Sequence, residues 1–162
     1  MQQITKSTLE SLLDEFGIKK KLRSELKFIS DRVMDWSERD FVAITDRHRS
    51  QGVLIAELNT LHVIPFRFQA RKASSMTGRI EAVICDFCST WQRGSNSAVI
   101  TFDRSDRSSR SYLCCADLLC SLHVRDLTTQ AKLSRTQLRE QMTPVRRIER
   151  LRANLDRIIF EI

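Results

Sequence analysis

The chain has 162 residues, a formal net charge of +7 and 41% hydrophobic residues. That apolar share is enough to bury a core, so disorder is excluded as the default, and no run approaches the ~20 apolar residues of a membrane helix. The first residues, MQQITKSTLESLLDEFG, show no basic segment, long apolar run or small-residue cleavage site, so no secretory leader is expected and the cytoplasm is the expected compartment.

Ser7 to Phe16 reads as a helix. Ser7 is placed as its N-cap, Glu10 completes a capping box, and Leu9, Leu12, Leu13 and Phe16 form an apolar stripe ended by Gly17. A second helix is expected from about Lys19 to Met34, burying Leu22, Leu26, Ile29 and Val33. The lysines around it read as a solvated face. In DWSERDFVAIT, Trp36, Phe41 and Ile44 are candidate core anchors. GVLIAEL and LHVIPFRFQA, separated at Asn59 and Thr60, then read as an antiparallel hairpin, and Pro65 asks for an edge or a bulge. RKASSMTGR reads as a connector.

Further on, SAVITFDR reads as a strand and DRSDRSSRS as an exposed turn. Asp117 is placed as the N-cap of a helix in LLCSLHVRDL. Ser134 and Gln137 suggest another capping box. Thr143 caps a last helix with Pro144 in its first turn. There Val145, Ile148, Leu151, Leu155, Ile158 and Ile162 repeat at helical steps, and Arg146, Arg147, Arg150 and Arg157 are assigned to the outer faces.

All five cysteines lie in ICDFCSTWQRG and YLCCADLLCSLHVRD. In a reducing compartment such clusters are more often metal ligands than disulfides. Cys85 and Cys88 are spaced for one turn to aim both sulfurs at one ion, and Cys115 and Cys120 supply a second pair beyond residues 89–114. Four thiolates close a tetrahedral zinc site and leave no open position for catalysis. A knuckle, then strands, then a pair entering a helix is the treble-clef plan. Cys120 would sit in that helix's first turn, where free N–H groups favour a thiolate. Asp117 favours Cys115 over Cys114 as ligand, although Cys114 remains an alternative, and His123 offers a three-cysteine, one-histidine variant. Only His48, His62 and His123 occur, without a His-rich nuclease motif, and no nucleotide-binding or nucleophile-elbow motif is present.

At these residues the chain resembles the elongation factor G-binding, FusB-type family. The resemblance rests on CDFC and on the run Cys115, Asp117, Cys120, Ser121, Arg125, with support from DWSERDF and RRIERLRANLDRII. It implies one structural Zn2+ on Cys85, Cys88, Cys115 and Cys120, and no enzymatic activity. It implies binding to translation elongation factor G and release of that factor from ribosomes jammed by fusidic acid. The expected architecture is α+β: N-terminal helices over 1–34, then antiparallel hairpins and a treble-clef zinc finger over 35–162, closed by a C-terminal amphipathic helix. The two parts could also form one unit. Candidate partner contacts are Phe87, Trp91, Arg93, Arg107 and Arg110, while Phe102 and Tyr112 fit a hairpin core better. The net charge and the last helix's arginines suggest RNA or DNA binding as the alternative.

Overall fold

The computed structural model describes residues 1–27, 36–71 and 81–162. The chain divides into two units, Met1–Phe68 and Gln69–Ile162. The hairpin expected to accompany the finger thus falls in the first unit with the N-terminal helices.

The first unit contains α1 (Lys6–Glu15), α2 (Lys20–Glu25), β1 (Phe41–Thr45), β2 (Gln51–Glu57) and β3 (Leu61–Ala70), whose last two residues belong to the second unit. The cap of α1 is Thr5, not Ser7. Its hydroxyl accepts from Thr8 N at 3.2 Å, and the Thr8 hydroxyl accepts from Thr5 N at 3.3 Å. Thr8 therefore fills the place expected of Glu10, two residues earlier. Gly17 ends the helix at φ 63°, the left-handed region where a missing Cβ removes the strain. Its N–H bonds Asp14 O and that of Ile18 bonds Leu13 O, the paired bonds of a Schellman stop.

The second helix is shorter than its apolar spacing suggests. Leu26 turns extended and bridges to Asp46, and Lys27 N bonds Thr45 O at 3.0 Å. The backbone thus takes strand-type partners at the end of β1. Ile29, Val33 and most of the RKASSMTGR connector lie outside the described residues.

Trp36 opens a short 3-10 turn and is buried, as are Phe41 and Ile44. β1, β2 and β3 form an antiparallel meander with Phe41 opposite Ala56 and Val53 opposite Pro65. The register runs through Pro65 without a bulge. Val53, Ile55 and Val63 point into a core shared with Ile4, Leu9, Leu13 and Trp36. Gly52 through Ala56 are all buried, so β2 is covered on both faces.

The second unit contains β4 (Val83–Ile84), β5 (Trp91–Gln92), β6 (Ser97–Asp103), β7 (Ser109–Cys115), α3 (Cys120–Val124), α4 (Thr129–Leu138) and α5 (Pro144–Phe160). β6 and β7 form a hairpin from Ser97 opposite Cys115 to Asp103 opposite Ser109, with an exposed turn between. Phe102 and Tyr112 are core residues. Burial pushes the Tyr112 phenol up to about 12, helped by its hydrogen bond to Glu161.

The cap of α4 is Thr128, which accepts from Ala131 N at 3.1 Å. Ser134 is not a cap. It is buried inside the helix, and its Oγ accepts from Trp91 N at 2.8 Å. In α5, Thr143 caps and Pro144 starts the helix as expected. Leu151, Leu155 and Ile158 are buried, whereas Val145 is 64% exposed. The line is completed instead by Arg147, only 2% exposed and so not on an outer face. It donates to Val124 O (3.1 Å), Met142 O (3.0 Å) and Asp126 Oδ2 (2.5 Å), which spend its charge internally.

A Cβ on Gly52 would lie 2.3 Å from Ile44 O and 2.8 Å from Phe66 Cζ. Because one neighbour is backbone, relief requires the strands to separate. Gly52→Ala is expected to destabilise the first unit by about 1–3 kcal/mol, measured by chemical denaturation; wild-type stability would show the strands can yield there.

Candidate metal centre

Two turns bring the cysteines together. The first joins β4 to β5. Cys85 N bonds Thr90 O at 3.0 Å, Ser89 N bonds Cys85 O at 2.8 Å, and Ser89 takes a left-handed φ of 56°. Asp86 fixes this knuckle to β7: its N–H donates to Leu113 O at 2.8 Å, and its carboxylate accepts from Leu113 N at 2.6 Å. Burial raises the Asp86 pKa in spite of that bond. From the other side, Asn154 of α5 donates to Phe87 O at 2.9 Å.

The second turn joins β7 to α3. Leu118 N bonds Cys115 O at 3.0 Å, with Leu118 at φ 59°. Asp117 Oδ1 accepts from Leu119 N at 3.0 Å. Asp117 therefore shapes the turn ahead of α3, and the cap position falls to Leu119 because left-handed Leu118 delays the helix. Cys120 is the first residue of α3, within the expected first turn.

The sulfurs of Cys85, Cys88, Cys115 and Cys120 all lie within 4.8 Å of one another, and all four residues are buried. Cys85 and Cys120 are 3.7 Å apart, and Cys88 and Cys115 are 3.5 Å apart. A zinc tetrahedron with Zn–S bonds of about 2.3 Å has S···S edges of about 3.8 Å. The donor set therefore fits the ion in kind, number and spacing.

Electrostatics point the same way. Burial opposes charge on Cys85, but hydrogen bonds from Cys115, Cys120 and Cys88 outweigh it and hold that thiol well below its ordinary value. Burial pushes Cys115 well above, and the bonds Cys120 makes to Cys115 and Cys85 push it up as well. Four buried thiolates need a cation to offset their charge.

Cys114 is buried outside this group and faces Ala98 across the hairpin register. Burial, reinforced by the charges of Cys85 and Cys88, pushes its thiol up. His123 is buried and hydrogen-bonded, through Nδ1 to Thr128 Oγ1 at 2.7 Å and through Nε2 to Asp117 Oδ1 at 3.3 Å. His123, Asp117 and Cys115 also offer ligand atoms within 4.8 Å of one another. The Asp117 carboxylate, opposed by burial, is held low chiefly by the His123 hydrogen bond.

The expected partner contacts divide. Phe87 is only 1% exposed and packs edge-on against Tyr112 at 6.4 Å, so it is no exposed knuckle tip. The short knuckle is pinned at both ends, which turns its aromatic inward. Trp91 is half-buried, and Arg93, Arg107 and Arg110 are exposed. Arg110 pairs with Glu161 at 3.6 Å. Two residues that the sequence reading passed over lie against the sulfurs. Thr90 Oγ1 is 2.9 Å from Cys88 Sγ, and Gln92 Nε2 donates to Cys115 Sγ at 3.1 Å. Their only signal is alternation in STWQ, which puts Thr90 and Gln92 on one face next to a ligand pair.

A cysteine knuckle, a β-hairpin and a second cysteine pair entering a helix define a treble-clef zinc finger. The family model of the FBP C-terminal treble-clef zinc-finger matches residues 20–162, and the chain belongs to that family. Neither a curated protein nor a solved structure gave a match. Four buried cysteines in a family of zinc fingers are consistent with one structural zinc.

Elemental analysis of purified protein is expected to find about one zinc per chain. Cys85→Ser is expected to lose it and unfold the second unit; Cys114→Ser is expected to keep both metal and fold. Zinc lost from Cys114→Ser but kept in Cys115→Ser would shift the ligand register by one.

Proposed function

We propose that this protein binds translation elongation factor G and promotes its release from the ribosome, including release of factor held there by fusidic acid. Membership of the FBP zinc-finger family over residues 20–162 carries this reading. In it, Cys85, Cys88, Cys115 and Cys120 hold the zinc. Four thiolates leave the ion no open position, so the centre serves as a frame and not as a catalyst. Binding rather than turnover follows, in the cytoplasm where the ribosome is. Among the described residues no helix is long and apolar enough to cross a membrane.

The contacts that remain from the expected set are Trp91, Arg93, Arg107 and Arg110. Trp91 opens β5, and the turn that follows the strand carries exposed Arg93. Arg107 sits at the β6–β7 turn with φ 66°. Aromatic and arginine side chains are the common hot spots of protein interfaces. The exposed arginines of α5, with Arg146 at 73% side-chain exposure, favour RNA as a second reading.

A pull-down from nuclease-treated bacterial lysate at moderate salt separates the two. Retention of elongation factor G is expected, weakened about tenfold or more in Trp91→Ala combined with Arg93→Ala. Absence of the factor, with RNA retained when nuclease is left out, would favour the nucleic-acid reading.

A further inference from the structure

We propose that Thr90 and Gln92 form an outer layer of the metal centre, with their protons directed at the Cys88 and Cys115 sulfurs to set how long the metal stays bound. The inference rests on the reading that the four cysteines hold a metal ion.

Both side chains are buried, Thr90 at 3% and Gln92 at 1% exposure. The Gln92 amide nitrogen carries two hydrogens. One reaches Thr90 Oγ1 at 2.9 Å and the other reaches Cys115 Sγ at 3.1 Å. Since Thr90 accepts from Gln92, its own hydroxyl hydrogen is free for Cys88 Sγ at 2.9 Å, with Cys115 Sγ at 3.6 Å. Of the three protons in this short chain, one links Gln92 to Thr90 and the other two end on sulfur. The sulfurs must then act as acceptors, which suits metal-bound thiolates and suits thiols poorly.

The network serves one sulfur from each pair, Cys88 of the knuckle and Cys115 at the end of β7. It therefore ties the two halves of the centre together. Zinc with four thiolates carries two net negative charges in a water-excluded site, and hydrogen bonds from neutral donors spread that charge without adding a competing cation. Outer partners of this sort orient ligands and raise metal affinity.

The strand that carries these donors is itself fixed. Trp91 N donates to Ser134 Oγ at 2.8 Å, and Gln130 Nε2 donates to Trp91 O at 2.8 Å. Helix α4 thus grips the peptide groups on both sides of Trp91, while Cys85 N holds Thr90 O at 3.0 Å. With the backbone pinned, strand alternation keeps Thr90 and Gln92 on the sulfur side. Their position does not depend on their own flexible side chains finding the metal centre.

The test uses the zinc-loaded full chain and an excess of 4-(2-pyridylazo)resorcinol, read as the rate of zinc transfer. Gln92→Leu and Thr90→Val are expected to release zinc about ten times faster or more, while Thr90→Ser, which keeps the hydroxyl, is expected to release it at the wild-type rate. In the cobalt-substituted protein, the thiolate-to-metal charge-transfer band is expected to move to longer wavelength in the first two variants only. Release within twofold of wild type and an unmoved band would overturn the inference. So would a Thr90→Ser protein as fast as Thr90→Val, since that would make packing the cause. Absence of metal from the wild-type chain would overturn the metal reading together with this one.

Discussion

The second unit depends on four sulfurs being forced into one water-excluded volume. Two of the segments that deliver them could not stand alone. β4 and β5 are two residues each, and α3 is five residues. Isolated helices that short are unstable in water, and two-stranded ribbons are marginal. Their stability comes from tertiary contacts, among them Asp86 to β7 and α4 to Trp91, and from closure around the centre. A cation at that point converts mutual repulsion of four thiolates into attraction toward one site, and so turns short fragments into a fixed frame.

The first unit is held by different means. Its α1 stripe and its meander bury an ordinary apolar core, and β2 is covered on both faces. Backbone detail governs it more than charge does: a Schellman stop at Gly17 and a glycine at position 52 where no Cβ fits. The second unit mixes the two strategies. Leu151, Leu155 and Ile158 of α5 bury apolar surface, while Arg147 on the same line gives its hydrogen bonds to Val124, Met142 and Asp126.

The features legible in the sequence were those with rigid spacing rules. The cysteine pairs, the strand-rich runs, the Gly17 stop and the Thr143–Pro144 start all emerged where expected. The failures share a cause: side chains whose chemistry suits two environments. Ser134 looks like a cap and is instead an internal acceptor for Trp91 N. Asp117 looks like a cap, but Leu118 in the left-handed region moves the helix start past its reach. Arg147 and Phe87 have the composition of surface contacts, yet tertiary partners that no local pattern encodes draw them inward. Thr90 and Gln92 are ordinary polar strand residues until β5 is placed against the sulfurs. The partner surface is least legible of all, because exposure depends on which neighbours fold over a residue.

In the proposed reading, a finger sealed in this way holds turns and helix faces in fixed positions for a partner. That role requires a metal shell made of sulfur alone, with His123 kept to its bonds with Thr128 and Asp117. X-ray absorption at the zinc edge on the purified protein tests this most directly. Four sulfurs at about 2.3 Å and no lighter atom in the shell are expected. A nitrogen or oxygen at about 2.0–2.1 Å in place of one sulfur would contradict a closed four-cysteine centre and reopen the question of what the metal does.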